Sequence, residues 1–554
     1  MRSAIRKLFS RKTIGKDAVA GLVLGVEAVP DGLAAGLLAG INPLAGLYAY
    51  LFGMVGATFF TSSTFMAVQA TGAMALIVSD SDLQTRADPD RALYTLAILT
   101  GIVMIVAGLL QGGRLIRFVP TAVMTGFVTA VGVNIILGQL SNLTGFASNG
   151  PNRLVKSFDL LAHMPRWSWA SVAIGLLVIA LILLFRWTPV GSLGLVVAVV
   201  LGSGLAVLLN QWVEPPIVLL QDLVDVPAGL PAPVLPNIED VAFLLVPAIS
   251  LAFVGVIQGS AVSAGLPTAD GKPADASRDF VGQGAGNIAA GLFQGMPVGG
   301  SMSGSSLMVA AGAKTRLSFV IAGVVMTLVI LFASDLVSFV ALPALAGLLI
   351  VVGAAAIKPS RIYSVVKSGP LPTAIMAVTF GLTLLIPLQF AVLVGVGLGI
   401  ILFVAQQSNH VRVRQVHISD DGRMRESDPP PKVPRDDVLI LQPYGSLFFA
   451  SAPIFEKQLP AVSRESSGSV VIIRLRGTDQ IGLSLVAVLR RYAHELSNVG
   501  SSLKLVVSEK RVLDQIEADG LADDLGEGNV YSSTEWIGET VRRAYADARA
   551  DLRN

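Results

Sequence analysis

Long apolar runs separated by short polar turns fill the chain up to about residue 408, and a mixed pattern of short runs follows. Runs suited to crossing a bilayer fall near 17–40, 42–60, 64–79, 91–111, 118–140, 169–186 and 190–211. A second group falls near 240–263, 279–293, 302–313, 315–334, 338–356, 373–388 and 389–407. The expectation is an all-α polytopic membrane domain of 14 transmembrane segments in two groups of seven. Because seven is odd, corresponding spans of the two groups run in opposite directions, as in an inverted repeat. Past residue 408 the polar, proline-rich stretch "SDDGRMRESDPPPKVPRDD" suggests a linker. Beyond it "VLILQP", "SVVIIRLRG" and "SLKLVVS" suggest strands, and stretches near 453–463, 483–498, 510–519 and 534–550 suggest helices. The expected organisation is a segment 1–16, a membrane domain 17–408, a linker 409–437 and a small α/β domain 438–554.

Composition agrees with the pattern. The 554 residues are 53% hydrophobic and 14% charged, and the mean hydropathy is +0.69, too apolar for a chain whose surface faces water throughout. The first sixteen residues hold six bases (Arg2, Arg6, Lys7, Arg11, Lys12, Lys16) and no acid, which places the N-terminus in the cytoplasm. Arg114/Arg117, Arg186, Lys314/Arg316, Lys358/Arg361/Lys367 and Arg412/Arg414 then also fall inside, and the acidic segments 80–90 and 214–225 outside. Two loops run against the rule: 141–168 is net basic yet outside, and 264–279 net acidic yet inside. With no cysteine and four scattered histidines, no disulfide, metal site or cofactor is expected.

The third and tenth spans are unusual. "SSTFMAVQATGAMA" (62–75) and "SGSSLMVAAGA" (303–313) are short, begin with serines and continue in small residues, at the same place in each half. A helix that starts inside the bilayer leaves backbone N–H groups unpaired, which is tolerable only against protein, water or ligand. Two such N-termini pointing toward each other would cradle an anion without a full positive charge. A small-residue face for helix packing is the other reading.

These residues resemble the SulP family of anion transporters. "VPDGLAAGLLAGINPLAGLYAYLFGMVGATFFTSSTFMAVQATGA" (29–73) is similar to the family's first signature, and "DFVGQGAGNIAAGLFQGMPVGGSMSGSSLMVAAGAKTRLS" (279–318) to its spans 9 and 10. The C-terminal domain resembles the STAS domain that follows the transporter in this family. The resemblance implies a 7+7 inverted repeat in which a core (spans 1–4 and 8–11) moves against a gate (5–7 and 12–14). It also implies a homodimer and a substrate such as sulfate, bicarbonate, chloride or a dicarboxylate.

Departures from the family pattern bear on the site. Where many relatives carry a base after the Ser-Met-Ser of span 10, this chain has Gly304, and Asp31 and Ala35 replace a glutamine and an aromatic residue. Glu27 lies one turn before Asp31. A carboxylate at mid-membrane costs about 2.5–3.5 kcal/mol on insertion scales, so each acid is expected to be protonated, hydrated or paired. Proton coupling is assigned to Glu27, with Asp31 as a second candidate; the alternatives are a structural acid at Glu27 and, at Asp31, a partner for backbone freed by Pro30. Candidate substrate contacts are Phe65, Met66 and Gln69 at span 3, Gln258 in span 8, and Ser301, Ser303, Gly304 and Ser305 at span 10. Core packing for the first three and interhelical bonding for Gln258 remain open.

No nucleophile with its base and no phosphate loop is recognisable, so an enzyme is not expected. The expectation is a secondary transporter of the bacterial inner membrane that couples a small carboxylate to a proton, or to sodium in its place, with the lipid bilayer as its surroundings and no nucleic-acid partner. Bicarbonate or sulfate transport or exchange, a nucleobase–proton symporter of the same fold, and an uncoupled anion channel are the alternatives. In the C-terminal domain "RGTDQIGLS" carries Gln480 where the anti-sigma factor antagonists of the STAS class carry a serine, so a phosphoswitch is not expected.

Overall fold

A computed structural model of the chain describes residues 13–112, 120–188, 193–266, 274–419, 423–477, 481–526, 528–534, 536 and 538–553. Arg2, Arg6, Lys7, Arg11, Lys12, Arg114, Arg117, Gln480 and part of the 264–279 loop lie outside the described residues. The chain divides into two compact units, Met1–Gly399 and Ile400–Asn554.

The first unit is built of apolar helices: α1 (Ile14–Leu38), α2 (Pro43–Thr58, with a π-helical turn at Ala49–Gly53), α3 (Gly72–Ser79), α4 (Pro89–Leu109), α5 (Thr121–Thr144), α6 (Arg153–Ala162), α7 (Trp169–Phe185) and α8 (Gly194–Leu209). The series continues with α9 (Val241–Gly265), α10 (Ala276–Leu292), α11 (Met302–Ala310), α12 (Leu317–Phe332), α13 (Leu342–Ala356), α14 (Pro359–Lys367), α15 (Pro370–Leu385) and α16 (Leu388–Ser408), within which the unit boundary falls. Among the described residues five helices are long and apolar enough to cross a bilayer, and five further apolar helices have 10–17 residues. Two three-residue strands, β1 (Ala67–Gln69) and β2 (Gly299–Ser301), precede α3 and α11. Most helices follow the hydrophobic runs to within a few residues, but the run near 64–79 is helical only from Gly72. The amphipathic α6 and α14 lie in stretches read as loops because their apolar positions recur only on one face.

Packing sorts these helices into two bundles. Helices α1–α4 pack chiefly with α9–α12, and α5, α7 and α8 with α13 and α15, which is the core-and-gate division of an inverted repeat. Small residues allow close approach: a Cβ added at Gly101 of α4 would stand 2.6 Å from the Gly284 carbonyl oxygen of α10, and one at Gly284 2.6 Å from that of Gly101. Without side chains at these positions the helix backbones can touch, a common interface in membranes where lipid supplies no hydrophobic drive to associate.

The second unit is a six-stranded sheet in the order β4-β3-β5-β6-β7-β8. Its strands are β3 (Arg412–Ile418), β4 (Met424–Ser427), β5 (Val438–Tyr444), β6 (Val470–Leu475), β7 (Ser502–Val507) and β8 (Val530–Ser532). Strands β5 to β8 are parallel, and β3 pairs antiparallel with both β4 and β5. Period two divides the side chains between faces. Leu439, Leu441, Val471, Ile473, Leu503 and Leu505 pack under α17 (Ala452–Gln458), α18 (Leu483–Ser497), α19 (Lys510–Ala518) and α20 (Leu521–Leu525). Ile440, Val470, Ile472 and Val506 meet Val541, Ala544 and Ala548 of α21 (Glu539–Asp551). Both β3 and β4 fall in the stretch read as a linker. Their sequences "RVRQVHI" and "MRES" are charged because they form one edge of the sheet, where β4 buries none of its residues fully and β3 buries Val413 and Val416.

Candidate functional site

The two interrupted spans meet. β1 and β2 pair antiparallel, Ala67 with Ser301, Val68 with Gly300 and Gln69 with Gly299, deep among buried residues. Each strand then turns into a short helix, so α3 and α11 begin at opposite ends of the crossing. Thr71 caps α3, its hydroxyl accepting from Met74 N at 3.4 Å, and Ser301 caps α11, its hydroxyl accepting from Gly304 N at 3.2 Å. The positive ends of both helix dipoles thereby face the crossing from its two sides.

The serines of span 10 divide their work. Ser305 Oγ accepts from Ala67 N at 2.8 Å and donates to the Ser301 carbonyl at 2.5 Å, which ties α11 to β1. Ser301 and Ser303 hydroxyls lie 3.1 Å apart, and Ser303 is exposed where Ser301, Gly304 and Ser305 are buried. Phe65 and Met66 are buried just before β1. Gln69 is 1% exposed, and neither its Oε1 nor its Nε2 has a hydrogen-bond partner. An unpaired buried polar group costs roughly 1–3 kcal/mol at each end, so this amide is an exception among buried polar side chains. It lies against Gly304, where an added Cβ would fall on Gln69 Oε1. Gln258 of α9 is half-buried and accepts from the Thr71 hydroxyl at 2.9 Å, joining the α3 cap to the core.

Glu27 and Asp31 lie on α1, which packs against both half-helices. Tyr50 donates its hydroxyl to Asp31 Oδ2 at 2.7 Å. Glu27 is buried at 7% exposure, with Oε2 unpartnered. Of the expected contacts, Gln69 and Ser301 lie in the crossing, Ser305 bonds to β1 and Gly304 lies against Gln69, with Gln258 attached through Thr71, while Glu27 and Asp31 stand on the adjoining helix.

Sequence reasoning missed the clamp behind the crossing. Asp279, Gln283 and Asn287 recur every four residues on α10 and are all buried. Asp279 accepts from the backbone N–H groups of Ser62 and Ser63 at 2.6 and 2.8 Å and from the hydroxyls of Ser62, Ser63 and Ser263. Gln283 Oε1 accepts from Gly300 N at 2.9 Å. Asn287 bonds Val298 in both directions, donating to its carbonyl at 2.7 Å and accepting from its N–H at 2.9 Å. Extended backbone inside a membrane must be satisfied by protein, and this stripe supplies the partners. The signal was present as "DFVGQGAGN", three polar residues at helical spacing in an apolar run. A second clamp is Asp17, fully buried, which accepts from Lys314 N, Thr315 N and Thr315 Oγ1 at 2.7–2.8 Å beyond the end of α11.

Apolar helices in two bundles, two of them stopped at a crossing of extended strands, define a membrane transport protein. The Sulfate permease family matches residues 14–379 and the STAS domain residues 430–543, and the chain belongs to the sulfate permease family. It is 24% identical over 546 residues to a probable sulfate transporter of Mycobacterium tuberculosis, covering 97% of this chain and 96% of that relative. It is 26% identical over 539 residues to the bicarbonate transporter BicA of Synechocystis, covering 93% and 92%. The structure of the murine Solute Carrier 26 family member A9 anion transporter shares the fold, with a TM-score of 0.85 at 18% identity over 99% of this chain and 93% of that one. The chain is an anion transporter of this family and not an enzyme.

Proposed function

We propose that the protein couples uptake of a small carboxylate to a proton by alternating access, the anion resting at the β1–β2 crossing between the N-termini of α3 and α11. Glu27 carries this reading: it is a buried carboxyl with an unpartnered oxygen on a helix that packs against both half-helices. A neutral Glu27 removes repulsion toward an incoming anion, so proton and anion favour each other's binding. No fixed cation stands at position 304, which leaves helix dipoles, hydroxyls and the proton to balance the substrate's charge. The two bundles supply the moving parts, α1–α4 with α9–α12 sliding against the remainder. We place the N-terminus and the STAS domain in the cytoplasm of a bacterial cell, the membrane domain in its inner membrane, and the carrier in a homodimer.

The test is uptake of labelled succinate into proteoliposomes with and without an inward proton gradient. The gradient is expected to raise the initial rate several-fold in the natural chain and not in Glu27→Gln. Equal pH dependence in the two removes Glu27 from the coupling. Inorganic oxyanions are the second reading, favoured by relatives named as sulfate and bicarbonate transporters. Sulfate or bicarbonate accumulating in place of succinate in the same vesicles would select it.

A further inference from the structure

Three buried side-chain atoms stand without a hydrogen-bond partner among the described residues: Glu27 Oε2, and both polar atoms of Gln69. Gln69 closes β1, opposite Gly299, and its amide is aimed at the first turn of α11, where it fills the place a side chain at Gly304 would take. Several donors around the crossing are taken within the protein, Ser305 Oγ by the Ser301 carbonyl and Gly300 N by Gln283 Oε1, while the exposed Ser303 hydroxyl can donate to an anion. The glutamine amide differs, because its Nε2 only donates and its Oε1 only accepts.

An anion whose oxygens are all acceptors satisfies Nε2 and leaves Oε1 facing negative charge. An oxyanion that keeps one proton satisfies both ends, one oxygen accepting from Nε2 and its O–H donating to Oε1. A site built around a substrate hydroxyl discriminates strongly against analogues lacking it, because the buried protein group is then left unpaired. Gly304 is part of the device, since a methyl group there would displace the amide.

We infer that Gln69 is a specificity-determining residue that selects a singly protonated oxyanion, of the hydrogencarbonate or half-protonated dicarboxylate type, over an anion offering acceptors alone. The inference rests on the β1–β2 crossing being the substrate site, and it concerns the proton on the ligand rather than the one assigned to Glu27.

The experiment uses the full chain in proteoliposomes at equal pH on both sides, so that no proton gradient drives uptake. Initial counterflow rates are measured for bicarbonate, for succinate at a pH where its half-protonated form dominates, and for sulfate. The natural chain is expected to favour bicarbonate or half-protonated succinate over sulfate by at least tenfold, and these two arms identify which ligand type it takes. Gln69→Met is expected to lower the preferred rate at least tenfold and the sulfate rate by much less, so that the ratio between them falls to within about twofold of one. Gly304→Ala, which leaves Gln69 in the chain and displaces its amide while pressing on the Ala67 Cβ at 3.1 Å, is expected to collapse the same ratio. Rates that fall together for all three anions, or that do not change, overturn the inference and leave the transporter reading standing. A natural chain that moves none of the three overturns both.

Discussion

Arg153 Nη2 donates to Asp80 Oδ1 at 2.7 Å, joining α6, which packs on α5 of the second bundle, to the C-terminal end of half-helix α3 in the first. The other Asp80 oxygen accepts from Leu388 N at 2.8 Å at the start of α16. Beside it Ser81 donates to Gln389 Oε1 at 3.1 Å, and Ser250 of α9 donates to the Gln389 carbonyl at 2.8 Å. Asp80 therefore fastens two bundles that must separate there if the carrier is to open at that end.

Loosening this fastening should shift the carrier toward a state open at the α16 start. The Arg153 and Asp80 side chains are 18% and 15% exposed, shielded enough for the pair to contribute about 1 kcal/mol, which corresponds to a population shift of about fivefold. The chain contains no cysteine, so a cysteine introduced at Ala391, 1% exposed on α16, reports opening cleanly. Arg153→Gln is expected to speed its labelling by a membrane-impermeant maleimide about fivefold. An unchanged rate would show that the pair does not hold the bundles together.

Asp279 is expected to be the most sensitive polar residue of the core. Its carboxylate is the common acceptor for residues 62, 63 and 263, and removing it orphans buried donors at the entry to β1. Asp279→Ala should destabilise the membrane unit by about 3 kcal/mol and abolish uptake, with a lowered Tm in detergent as the readout. Asn287→Ala, which orphans the N–H and carbonyl of Val298, should follow in the same direction with a smaller drop.

The α4–α10 contact gives a steric prediction. Gly101→Leu forces the two backbones apart and should cost about 1–3 kcal/mol or more, seen as a Tm loss with aggregation in detergent. Gly204→Ala is the control: a Cβ there meets nothing within 4 Å, and helix propensity favours alanine over glycine. Equal melting of both variants would show that the close approach contributes little.

The fold was legible because lipid and backbone chemistry leave few choices. A run such as "LILLF" in α7 can only lie in an apolar setting, and a helix is the way it pairs its own backbone. Ser301 was legible at the start of span 10, since a hydroxyl before small residues is an N-cap, whereas the start of α3 at Thr71 lies beyond the serines that open span 3 and was not. The pairing of β1 with β2 was not, because three-residue strands carry no periodicity of their own and owe their geometry to Asp279, Gln283 and Asn287 more than two hundred residues away from β1. Tyr50 as the partner of Asp31 was equally hidden, being set by how α1 folds against α2. Edge strands β3 and β4 escaped for the opposite reason, their exposed charges hiding a period of two.

The most direct measurement of the central claim is substrate protection at the crossing. Ser303 is exposed beside the buried Ser301 and Gly304 at the start of α11, and Ser303→Cys would be the single thiol in the chain. Bicarbonate, succinate or sulfate, whichever the carrier transports, is expected to slow maleimide labelling of that thiol several-fold, at concentrations that saturate uptake, while leaving a cysteine at the exposed Ser368 unaffected. Labelling at Ser303→Cys that proceeds at the same rate under a saturating, transported anion would place the substrate elsewhere and contradict the account.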